Sequence, residues 1–69
     1  MNPWNLTERE AAIMDAVCML GEDKLIVVRI GGSLPALRQA VSRSIRKIAA
    51  PNRTVAAVQW TKWRNGWGS

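Results

Sequence analysis

Residues 33–48 read SLPALRQAVSRSIRKI, and how they fold decides the rest of the chain. As a helix, the stretch puts Leu34, Leu37, Val41, Ile45 and Ile48 on one stripe, three and four residues apart. The opposite face gathers Arg38, Gln39, Ser42, Arg43 and Arg46, with Lys47 at its edge. Ser33 is a candidate N-cap, and Pro35 falls in the first turn, where a missing amide proton costs nothing. Such a helix buries one side and offers guanidinium and carboxamide groups on the other. Those groups suit phosphates and base edges. The alternative is a solvated basic face on an ordinary core helix.

Working outward toward the C-terminus, Ala49 to Arg53 is a break with Pro51 as the stop signal. Asn52 caps a last helix over about 53–64, with apolar positions at Val55, Ala56, Ala57, Val58, Trp60 and Trp63. Trp60, Trp63 and Trp67 follow i, i+3, i+7 spacing, although Gly66 should end the helix before Trp67. Three tryptophans exceed what one small core needs. Val55, Ala56, Trp60, Trp63 and Trp67 are therefore expected at a dimer or partner interface, the alternative being a cover for the domain's own core.

Toward the N-terminus, the run Lys24 to Ile30, KLIVVRI, is a short helix or a buried strand. Its β-branched residues favour a strand and its neighbours favour a helix, for which Asp23 is the expected cap. Gly31-Gly32 forces a sharp break, and Gly31 is free to take positive φ. Before that, Thr7-Glu8-Arg9-Glu10 is a capping box for a helix over about 7–20. Its inner face is read as Ala11, Ile13, Met14, Val17 and Leu20, with Cys18 a small core hydrophobe and Gly21 the C′ residue. Trp4 is expected to pack against the domain. The content is all-α: four helices (about 7–20, 24–30, 34–48 and 53–64) in one domain, 1–69. A glycine turn lies between the second and third at helix-turn-helix spacing.

Sixty-nine residues form a marginal domain, burying only about 60% of the unfolded surface. With one cysteine and no histidine, neither an internal disulfide nor a Cys/His metal cage is possible. Oligomerisation is the remaining support, so a homodimer is expected. The net charge is +5, unevenly spread. Residues 1–23 hold all five acids and one base, and residues 24–69 hold nine bases and no acid. A polyanion is the natural partner: DNA, RNA or an acidic protein surface. No apolar run reaches the roughly 18 residues of a membrane span, and the N-terminus lacks a signal-peptide core. The cytoplasm is the expected address. No catalytic constellation is present and no cofactor is implied. Gly31-Gly32-Ser33 is better explained by the turn than by a phosphate.

Five short tags sit in one ungapped register. Leu6-Thr7-Glu8-Arg9-Glu10 resembles the LT-x-R-E opening of the LuxR/GerE-type DNA-binding domain, and Lys24-x-Ile26 resembles that family's K-E-I-A. Gly31-x-Ser33 resembles its L-G-I-S turn, Arg46-Lys47-Ile48 its R-K-L, and Asn52-Arg53-Thr54-x-Ala56 its N-R-T-x-A. The resemblance implies a four-helix domain whose third helix enters the major groove and whose fourth dimerises. Carried over, the DNA-facing positions are Arg38, Gln39, Ser42, Arg43 and Lys47, with Lys24 on the backbone; Arg46 joins them from the residue reading. The chain departs from the pattern at Pro35, Ala36 and Ala40, where polar contacts are usual, and at Gly32 and Val27.

Two functions follow as expectations. One is a stand-alone, dimeric, sequence-specific transcriptional regulator, without the receiver or ligand-binding domain that such proteins usually carry upstream. The other is a protein-interaction module, such as a phage-encoded anti-activator, that uses the fold to bind and inhibit a host regulatory protein.

Overall fold

Three side chains begin three of the helices. The Thr7 hydroxyl accepts from the Glu10 amide (3.1 Å), and the Glu10 carboxylate accepts from the Thr7 amide (2.9 Å). Ser33 accepts from the Ala36 amide at 3.3 Å, and Asn52 from the Val55 amide at 2.9 Å. Each satisfies a donor that the first helical turn leaves open. The computed structural model describes residues 2–66 as α1 (Glu8–Leu20), α2 (Asp23–Ile30), α3 (Leu34–Ile48) and α4 (Arg53–Arg64). The chain is all-helical among the described residues, and the ambiguous run 24–30 lies in a helix. None of these helices is long and apolar enough to cross a membrane.

The breaks are of different kinds. Gly21 (φ 77°) and Gly31 (φ 90°) take the positive φ that only glycine adopts freely. Ala49 ends α3 in the left-handed conformation at φ 62°, a strained state for a residue with a Cβ. Asp23 does not cap α2, contrary to expectation. Glu22 holds the cap position without a side-chain bond, and Asp23 is the first helical residue. Its carboxylate instead pairs with Arg53, whose other nitrogen donates to the Gly21 carbonyl at 2.8 Å.

α1 and α3 each pack against all the other helices, while α2 and α4 are joined by that Arg53 bridge. The core has two parts. An aliphatic part joins Ile13, Ala16 and Val17 of α1, Ile26 of α2, and Leu37, Ala40 and Val41 of α3. An aromatic part joins Leu6, Met14, Ile48, Ala56 and Trp60, with Trp4 and Trp63 against it. Burying a side chain such as Ile13 or Ile26 contributes about 1.5–3 kcal/mol. Ser44 lies fully inside on the same side of α3, which is possible because its hydroxyl donates to the Ala40 carbonyl at 2.8 Å.

Two expectations about burial are corrected here. Cys18 is exposed, not core: its thiol donates to the Ala57 carbonyl (3.6 Å) and accepts from the Thr61 hydroxyl (3.4 Å) at the α1–α4 seam. Ala56 and Trp60 lie inside the chain's own core, so neither side chain is available to a partner. The Trp60 ring stands 5.1 Å from Trp63 and 5.9 Å from Trp4, centroid to centroid, and its indole N–H donates to Asp15 at 2.8 Å. That polar partner is what lets an indole sit this deep. Trp4 packs on the domain, in a lead-in pinned by the Leu6 amide donating to the Asn2 side chain at 2.8 Å.

Candidate nucleic-acid interface

With Leu37, Ala40, Val41, Ser44 and Ile48 buried, the opposite side of α3 faces solvent. Gln39, Ser42, Arg43 and Arg46 follow i, i+3, i+4, i+7 and together line a shallow surface depression. The row is roughly 10 Å long at the helical rise per residue. No carboxylate among the described residues pairs with Arg43 or Arg46, so both guanidinium groups keep their full donor sets. Arg46 also lies in the last turn, where the helix dipole favours a cation.

The cations flanking this row differ in how far they are engaged. Lys47 donates to the nearly buried Glu10 carboxylate at 2.8 Å, tying the end of α3 to the start of α1. The Lys47 side chain is still 39% exposed, but one of its three donors is given to an internal anion. That same contact, with the bond from the Thr7 amide, holds the Glu10 carboxyl below its ordinary pKa, and burial only partly opposes this. At the other end, Arg38 is 68% exposed and sits 3.9 Å from Asp23, which it shares with Arg53. A contact that long and wet is weak, so Arg38 is guided by Asp23 more than held. Lys24 is exposed beside it on α2, without a carboxylate partner among the described residues.

The first turn of α3 brings no polar group to this surface beyond its cap. Pro35 and Ala36 are exposed, whereas Ala40 is buried, so its missing polar group concerns packing and not the outer face. Of the residues expected at a dimer or partner surface, Val55 and Trp63 remain half-buried, and Trp67 lies outside the described residues. No group of histidine, cysteine, aspartate and glutamate side chains that would hold a metal ion occurs among the described residues.

Residue patterning did not point to two roles. Asp23 links α2, α3 and α4, and Asp15 accepts from Trp60 and forms an ion pair with Arg64 at 3.4 Å. Both pairings join residues far apart in sequence, and no local spacing signals them. Compared with known proteins, the chain matches no family model, no curated protein and no solved structure.

Proposed function

We propose that this chain is a LuxR/GerE-type helix-turn-helix domain that binds duplex DNA with α3 in the major groove, and that it regulates transcription. One observation carries the reading: the exposed row Gln39, Ser42, Arg43, Arg46, with both arginines free of internal carboxylates among the described residues. An arginine can grip guanine at two acceptors and a glutamine can pair with adenine, each worth about 1–3 kcal/mol of discrimination. The cations supply the sequence-independent attraction to phosphate. Selection of bound duplexes from a random pool tests this. A short consensus is expected, and Gln39→Ala should relax it at one position while leaving the rest unchanged. Recovery of no consensus and no binding at low salt contradicts the reading.

The exposed Pro35 and Ala36 favour a second reading. The N-terminal part of a recognition helix is where base edges are usually met, and these two residues offer no donor there. A module that uses the fold to bind and inhibit a host regulator has no need of one. Failure of the duplex selection is the outcome that this second reading predicts.

A further inference from the structure

The first turn of α3 continues the exposed row toward the helix start. Ala36 lies three residues before Gln39 and seven before Arg43, and Pro35 lies four before Gln39 and seven before Ser42, so all five share one side of the helix. Pro35 and Ala36 are exposed, while Leu34 packs against the aliphatic core. No acid or base stands in this turn. A phosphate finds little here: proline has no amide proton, and the Ala36 amide is given to the Ser33 hydroxyl at 3.3 Å. What the turn offers is methyl and methylene surface at the end of a row of donors.

We infer that this turn reads the 5-methyl group of thymine in the major groove, beside the base that Gln39 contacts. The inference rests on the DNA-binding reading and names part of the sequence that α3 selects. With Gln39, Ser42, Arg43 and Arg46 directed at base edges, the turn before them lies along the same groove. Ala36 is about 4.5 Å from Gln39 along the helix axis, a little more than one base step. The thymine methyl is the apolar feature of the major-groove edge. The other bases present acceptors and amino hydrogens, and against Pro35 and Ala36 these would lose water without gaining a partner. Thymine covers part of its edge with a methyl group, and burying that group against the turn should raise affinity about three- to fivefold.

The test uses the full chain and the duplex consensus recovered by selection, with each thymine replaced in turn by deoxyuridine, which removes the methyl group alone. One replacement should weaken binding about three- to fivefold. It should fall within about two base pairs of the position that Gln39→Ala relaxes, on the side away from the position that Arg43→Ala relaxes. With cytosine placed there, 5-methylcytosine should bind more tightly than cytosine by a similar factor. Pro35→Ser with Ala36→Asn puts polar side chains that suit a helix start on the same turn. That double variant should bring the thymine-to-uracil ratio below about twofold, with an unchanged far-ultraviolet spectrum and the Arg43 position still selected. Equal affinity for thymine and uracil at every position overturns the inference and leaves DNA binding standing. A methyl effect of unchanged size in the double variant, or one located only at the Arg43–Arg46 end, also overturns it. A chain that binds no duplex at low salt overturns both readings.

Discussion

The exposed row of α3 and the cations on either side of it carry the same residue types and use them differently. In the row, Arg43 and Arg46 face solvent with no internal anion among the described residues. At the flanks, Lys47 is bound to Glu10 and Arg38 leans on Asp23. Counting cations along a helix therefore overstates what it can offer a polyanion. A base whose charge is already answered inside the fold contributes stability first, and only the unanswered ones are available to phosphate. The difference comes from burial. Glu10 is nearly inside and cannot be left unpaired cheaply, whereas nothing buried depends on Arg43.

Removing Lys47 should break this contrast most strongly. Lys47→Met keeps the aliphatic stem and strands the Glu10 carboxylate, so stability should fall by roughly 1–3 kcal/mol in chemical denaturation, with the partial exposure of Lys47 setting the lower end. Arg43→Met at the free site should change stability by less than about 0.5 kcal/mol. A similar loss at both sites would erase the distinction between the two regions.

Acid sharpens the same contrast. Because the folded state depresses the Glu10 pKa, its stabilisation is fully present above the unfolded value and is lost as pH falls through the lower, folded one. Stability should therefore drop as the solution is acidified through and below the ordinary glutamate range. Glu10→Gln should flatten that part of the profile, as followed by thermal melts across pH. An unaltered profile would mean that Lys47 does not hold Glu10 in solution.

The smallest effect belongs to the other flank. Asp23→Asn frees Arg38 and loosens Arg53, so stability should fall by about 0.5 kcal/mol or less, since both partners are partly exposed. Duplex affinity should rise slightly, because an anion beside the reading face has gone. A fall in affinity would show that Asp23 positions Arg38 for DNA.

The parts that the sequence made legible are those with a local physical cause. Thr7, Ser33 and Asn52 cap the helices because a hydroxyl or carboxamide one turn before an amide has only one use there. The two faces of α3 were equally plain, since its apolar residues repeat at the helical period. What remained hidden is how one helix meets another. The α4 period marks a stripe through Ala56, Trp60 and Trp63 but cannot tell whether a partner or the chain itself covers it; here Leu6, Met14 and Ile48 do. Cys18 follows Val17 by one residue, and that rotation carries it from the core to the α4 seam. For the candidate site, the row 39–46 was readable from spacing, whereas the capture of Lys47 by Glu10, 37 residues away, was not.

The most direct measurement is the salt dependence of duplex binding by the wild-type chain and by the Arg43→Ala, Arg46→Ala double variant. If α3 lies against the duplex, log affinity falls linearly with log salt. The double variant then binds more weakly, with a slope shallower by nearly one for each phosphate it no longer neutralises. Binding that is independent of salt, or identical in the two proteins, would contradict a DNA-binding role for this face.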